Sequence, residues 1–161
     1  LQWLWSENEN FSEIEAMARK TLNCREPDRP NMIFLHSLPL APSFVLRDWT
    51  RLELDLVEIG QKFWTPFGLR TLRPSHPDFI PRYLGNQFHR DSSYHQGPAW
   101  GWLGGHFEIA VQRLGASQFK KKMFMKEALE DMPILGHVPE IFDAEPPITP
   151  RGAPAQASSI A

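Results

Sequence analysis

The sequence has a single cysteine, Cys24, in 161 residues, so it offers no intrachain disulfide. A lone thiol suits a chain kept in a reducing compartment, which makes a cytoplasmic location the expectation. No apolar run approaches the roughly 20 residues that cross a bilayer. No basic-then-apolar leader opens the sequence either, and no membrane partner is expected. Charge of one sign is also scarce: 17 Lys and Arg stand against 19 Asp and Glu, a formal net charge of −2. Nucleic-acid binders draw their affinity from clustered cations, so no nucleic-acid partner is expected. The 6 His include no H-x-x-x-H pair, and Cys24 has no thiol partner. No metal and no cofactor are expected.

What is present is an ordinary globular composition, 42% hydrophobic, 22% charged and 12% aromatic. That is enough to bury a core without staples. The chain starts at Leu1 rather than Met and stops at Ala161 within an apolar-polar pattern, so it reads as a piece of a longer protein.

Four segments carry helical periodicity. Phe11, Ile14, Ala18 and Leu22 share one face of a helix capped by Ser12. Val45, Trp49, Leu52, Leu56, Ile59 and Phe63 form the clearest stripe, with charged residues such as Arg47, Asp48, Arg51 and Glu53 between them. Pro98 fits the first turn of a third helix, whose face carries Trp100, Leu103, Phe107, Ala110, Val111 and Leu114 before Gly115. A fourth follows Ser117 and runs to Met132. No strand alternation stands out, although Asn31 to Leu40 suits a short strand or a helical turn equally. The expectation is a mainly helical chain.

Two long connections, Thr65 to Gly97 and Pro133 to Pro154, hold most of the 15 Pro along with aromatic and charged residues. Ordered loops of that length commonly carry a site. In the first, Arg90, Asp91, Tyr94, His95 and Gln96 precede Trp100 and Trp102. Sugars ask for this mixture, since aromatic faces pack on the C–H side of a pyranose and polar groups bond its hydroxyls. The same residues also suit Trp100 in a core and His95 at a helix cap. In the second, Glu140, Asp143 and Glu145 lie in a proline-flanked, aromatic loop. A carboxylate held beside apolar groups suits a general base, while the bland alternative pairs these acids with Arg151 or with solvent.

Five ordered motifs turn this mixture into a resemblance. They are Arg29-Pro-Asn31 with Ser37-Leu-Pro39, Thr65-Pro-Phe-Gly-Leu-Arg-Thr-Leu72, Tyr94-His-Gln-Gly97 running into Trp100-Gly-Trp102, Pro139-Glu-Ile-Phe-Asp143, and Arg151-Gly-Ala-Pro-Ala-Gln-Ala157. Together, from Arg29 to Ala161, they resemble the C-terminal amylo-α-1,6-glucosidase domain of glycogen debranching enzymes, with the first 28 residues poorly matched. The resemblance implies an all-α fold, part of an (α/α)6 toroid of the six-hairpin glycosidase type, incomplete in this chain. It implies one domain, of which residues 1–161 are the C-terminal portion. It also implies hydrolysis of α-1,6-linked branch glucose with inversion, and glycogen or another branched α-glucan as partner.

By the same resemblance Glu140 is the general base, and the general acid is an Asp expected upstream, in the missing N-terminal part of the domain. Tyr94, His95, Gln96, Trp100 and Trp102 would line the glucose pocket, with Asp143, Arg151 and Gln156 supporting the base loop. Two other readings fit the same residues: a related glucoamylase- or trehalase-like α-glucosidase, and a noncatalytic glucan-binding module.

Overall fold

The computed structural model describes residues 28–38, 49–115 and 137–159. The helix expected from Ser12 and the one expected after Ser117 lie outside the described residues, as does Val45 of the second stripe.

A 3-10 turn at Pro30–Met32 leads into α1, Ile33–Ser37. This resolves the choice left open for the segment beginning at Asn31 in favour of a helix. Helix α2 spans Trp49–Phe63. Of its predicted stripe, Leu56, Ile59 and Phe63 lie in the core, and Leu54, off the stripe, is exposed. Glu58 and Lys62 pair one turn apart on the outer face, with Lys62 in the last turn, where a cation favours the helix dipole. Helix α3, Gln87–Ser93, is capped by Asn86, whose side chain accepts a hydrogen bond from the His89 backbone N–H at 3.1 Å. Helix α4 runs over Gly101–Leu114 and ends at Gly115 in the left-handed region, φ 61°. Among the described residues, no helix is long and apolar enough to cross a membrane.

The expectation of an all-α chain, and with it of a fragment of an (α/α)6 toroid, is corrected by a five-stranded antiparallel sheet. Its strands are β1 (Trp64–Thr65), β2 (Gly68–Arg70), β3 (Ala99–Trp100), β4 (Ile141–Phe142) and β5 (Pro150–Arg151), paired in that order. Strands of two or three residues are too short to show apolar alternation, so periodicity does not reveal them. The third predicted helix shifts for the same reason. Ala99 and Trp100 pair with Arg70 and Leu69 as extended residues, so the helix begins at Gly101 rather than near Pro98.

The register brings distant segments together. Leu69 opposes Trp100, Trp100 opposes Ile141, and Ile141 opposes Arg151. At the β1–β2 turn, Thr65 Oγ1 donates to the Gly68 carbonyl at 2.8 Å. Gly68 has φ 139°, and a Cβ there would overlap the Trp100 carbonyl, so only glycine lets β2 and β3 approach this closely. The main core gathers Ile33, Leu56, Ile59, Phe63, Leu69, Trp100, Leu103, Phe107, Ala110 and Ile141, joining α1, α2 and α4 to the sheet. A smaller cluster of Ala99, Val138 and Phe142 packs with Phe67 and Ile148.

Buried polar groups in the helical layer are partnered. His36 Nε2 lies 3.1 Å from Asp55 Oδ2 between α1 and α2. Ser37 Oγ lies 2.9 Å from His106 Nδ1, and the Arg113 guanidinium donates to the carbonyls of His36 and Leu38. These bonds anchor the end of α1 to α4.

Candidate functional site

The four sheet segments that meet around β3 and β4 are drawn from the motifs read in the sequence, and Glu140 sits one residue before β4. Just past the β4–β5 pairs, and offset by one residue from their register, the Glu140 N–H donates to the Ala153 carbonyl at 2.9 Å. The Ala153 N–H returns a bond to Glu140 Oε2, also at 2.9 Å. Gly152, next to Glu140, has φ 69°, and a Cβ there would overlap Oε2. The glycine of the Arg-Gly-Ala run thus makes room for the carboxylate. The other carboxylate oxygen, Oε1, accepts a hydrogen bond from the Tyr94 hydroxyl.

Tyr94 belongs to an aromatic cluster. Its ring lies 4.8 Å from Trp100, edge to face, and 5.6 Å from Tyr83. His95 stacks on Trp100 at 5.2 Å and 17° between planes. Trp100 is 9% exposed and donates its Nε1–H to the Tyr94 carbonyl at 3.2 Å, so it is a core residue, with His95 stacked on it. His95 caps no helix. Trp102, by contrast, faces away from this cluster: it stacks on Phe34 at 5.7 Å and meets His106 edge to face.

Burial, the hydrogen bond to Glu140, that residue's charge and Tyr83 together push the Tyr94 phenol up to about 12. One-sided desolvation on Trp100 holds the His95 imidazole below its ordinary value. Arg29 adds to that shift, and the Glu140 charge opposes it. His106 is lowered by burial between Phe34 and Trp102.

The turn carrying His95 and Gln96 is held by Arg29. Its guanidinium donates to the His95 carbonyl at 2.6 Å, to Gln96 Oε1 at 2.7 Å and to the Thr71 carbonyl at 3.1 Å. The sequence marked Arg29 as part of a motif but gave it no role, because a contact across 66 residues leaves no local pattern. Tyr83 was missed as well. The signal available was an aromatic residue in an ordered, proline-punctuated loop.

Asp143 is fully buried, and its carboxylate lies within reach of two guanidinium groups. Arg151 donates from Nε at 3.3 Å to each oxygen and from Nη2 at 3.0 Å, and Arg82 Nη1 lies 3.6 Å away. The Tyr83 backbone N–H adds a bond at 3.1 Å. With no surface open to a sugar, Asp143 braces the loop between β4 and β5, as the pairing alternative for the acids anticipated. Glu145 is exposed. Gln156 ties its backbone N–H to the Val138 carbonyl at 3.0 Å, on the segment leading into Glu140. Arg90 and Asp91 lie on α3, where Arg90 donates to the Gly85 carbonyl at 2.7 Å and Asp91 is exposed. Neither is in contact with Glu140. Among the described residues, no three His, Cys, Asp or Glu side chains converge as metal ligands would.

The arrangement is chemically specific: an oriented carboxylate, half-buried, rimmed by tyrosine, histidine and tryptophan and held by the Ala153 backbone N–H. It can take a proton from water at an aromatic-lined surface. A search of curated proteins returned no match. A model of the amylo-alpha-1,6-glucosidase family matches residues 7–161, which begins upstream of the motifs read from Arg29. That family is a glycosidase type related to glycogen debranching. With nearly the whole sequence matched, the chain belongs to the amylo-alpha-1,6-glucosidase family.

Proposed function

We propose that this chain is the base-bearing, C-terminal portion of a single glucosidase domain that hydrolyses α-1,6-linked branch glucose of a branched α-glucan, with inversion. The observation that carries the reading is the Glu140 carboxylate, presented at the β4 end of the sheet and held through both oxygens beside Tyr94, His95 and Trp100. An inverting hydrolase needs one carboxylate to activate water and a second, protonated carboxyl group roughly 6.5–9.5 Å away to donate to the leaving oxygen. Glu140 serves as the first. The second is an Asp contributed by a segment upstream of this chain.

In this reading Glu140 draws a proton from a water on the far side of the glucose ring as that water attacks the anomeric carbon. The bond to the leaving oxygen breaks as the upstream Asp gives that oxygen its proton. His95 and the exposed edge of the Trp100–His95 stack receive the C–H face of the glucose, and Gln96 and Arg29 fix the turn that presents them. Trp102, facing Phe34 and His106, supports the fold behind the pocket.

The test is Glu140→Gln in the full-length protein that carries this chain. Hydrolysis of α-1,6-glucosyl branches is expected to fall by at least about 10²-fold, while glucan binding by calorimetry stays close to wild type. In the wild-type reaction, proton NMR is expected to detect β-glucose as the first-formed anomer. Turnover by the variant near the wild-type rate, or α-glucose as the first product, would sink the assignment.

A further inference from the structure

The carboxylate of Glu140 has an unusual set of partners for a group assigned to take a proton from water, because each of its oxygens already accepts a bond from the protein. Ala153 holds Oε2 through its backbone N–H at 2.9 Å. Tyr94 holds Oε1 through its hydroxyl. A carboxylate oxygen has two lone-pair sites, so one site on each oxygen stays open while the plane of the group is fixed. We propose that Tyr94 is a positioning residue for Glu140: its hydroxyl orients the carboxylate instead of bonding the sugar. The inference rests on the assignment of Glu140 as base.

Three features of the surroundings support it. The Tyr94 ring is clamped between Trp100 and Tyr83, and its backbone carbonyl is tied to Trp100 Nε1. The hydroxyl is therefore delivered by a fixed ring rather than by a mobile side chain. Burial and the neighbouring carboxylate push the phenol up to about 12, so Tyr94 remains a donor throughout the range in which a carboxylate base works. Third, among the described residues the charged and titratable groups facing the pair are Tyr83 and His95, with Arg29 behind His95. Asp143 on the adjoining loop is occupied by Arg151 and Arg82. Tyr94 is thus the side chain that meets the Glu140 carboxylate directly through a hydrogen bond.

Losing the hydroxyl leaves Oε1 without its protein donor, so the plane of the carboxylate is no longer set. The experiment compares Tyr94→Phe with wild type in the full-length protein, by kcat and KM on an α-1,6-branched glucan. At the optimum, kcat is expected to fall roughly 10- to 100-fold. KM is expected to change by less than about threefold, because the bond lost is made to the enzyme's own carboxylate and is not a substrate contact.

A second arm replaces Tyr94 with 3-fluorotyrosine by codon suppression, which keeps the ring and the donor. Its kcat is expected within about threefold of wild type, and it serves even if Tyr94→Phe fails to fold. An unmoved kcat in Tyr94→Phe, or a loss confined to KM, overturns the proposal and returns Tyr94 to the sugar. A kcat reduced in the fluorinated protein as far as in Tyr94→Phe overturns it equally. Glu140→Gln is run alongside. If that variant is inactive while Tyr94→Phe keeps the wild-type kcat, the positioning role fails and the base assignment stands. If Glu140→Gln keeps its turnover, the base assignment itself has failed.

Discussion

Replacing Asp143 with Asn keeps the shape of the side chain and removes one charge from a fully buried position. Three groups depend on that charge. Arg151 makes contacts at 3.3, 3.3 and 3.0 Å, Arg82 lies at 3.6 Å, and the Tyr83 N–H bonds one oxygen at 3.1 Å. The amide offers a single oxygen in place of two and turns an NH2 donor toward groups that are themselves donors. Breaking a buried ion pair by removing one partner costs about 3–5 kcal/mol when the remaining charge stays dry. Here the arginine side chains are 27% and 37% exposed, so water recovers part of their solvation. The expected cost is therefore about 2–3 kcal/mol, below that range.

Because the loss is local, the suitable assay is native-state hydrogen exchange read by mass spectrometry rather than a global melt. Peptides covering residues 79–84 and 140–153 contain the Tyr83 N–H bonded to Asp143 and the Asp143 N–H bonded to Thr149. Their exchange is expected to accelerate roughly 30- to 150-fold. Adding Arg151→Met to Asp143→Asn should cost less than the two single changes summed, since the cation stranded by the first change is gone. Exchange unchanged within about threefold in both peptides would show that the cluster does not brace the loop.

Two further outcomes follow from the same geometry. Gly152→Ala places a Cβ against Oε2 of Glu140 at a residue with φ 69°. The backbone alone costs about 1–2 kcal/mol there, so a lower thermal midpoint and a kcat reduced at least tenfold (about 1.4 kcal/mol) are expected, and a variant with unchanged kcat would refute the close packing of strand against base. The histidines give a pH dependence. His95 and His106 are held below the ordinary 6.5, chiefly by burial, so the folded chain resists a proton that the unfolded chain accepts. Stability is full above about pH 6.5 and falls as pH drops toward the depressed folded values, where the loss levels off. Thermal midpoints at about pH 7.5 and about pH 5.5 should differ less in His106→Gln than in wild type. An equal difference in both proteins would remove His106 from the account.

The helical layer was legible because its signal is local. In α2, the residues at Leu56, Ile59 and Phe63 that recur on one face are the ones that go inward. In α4, Leu103, Phe107 and Ala110 behave likewise. The sheet was illegible because no strand exceeds three residues, and its existence depends on partners far apart in the chain. Pro98 illustrates the ambiguity. A proline followed by an amphipathic stretch suits a helix start, but Thr71 takes the Pro98 carbonyl at 3.3 Å and holds the next two residues extended against β2. At the site, Glu140, Tyr94, His95 and Trp100 were recognisable as types suited to a sugar. The depth of Asp143 and the reach of Arg29 were not, since burial and long-range clamps are properties of the assembled chain.

What the sheet adds is a reason for these residues to work as a unit. Past the pairing of Ile141 with Arg151, the Glu140 N–H bonds the Ala153 carbonyl on one side and the Asp143 N–H bonds the Thr149 carbonyl on the other. One strand pair therefore carries Glu140 at one end and the buried ion cluster at the other. On the other side, Ile141 pairs with Trp100, whose indole carries Tyr94 and His95. Glu140, the proposed base, is thus located by backbone bonds beside the β4–β5 pair and oriented by Tyr94 and Ala153, groups of the protein itself. A carboxylate fixed in this way suits the proposed inversion, in which the water and the glucose ring would both have to find the base already in place.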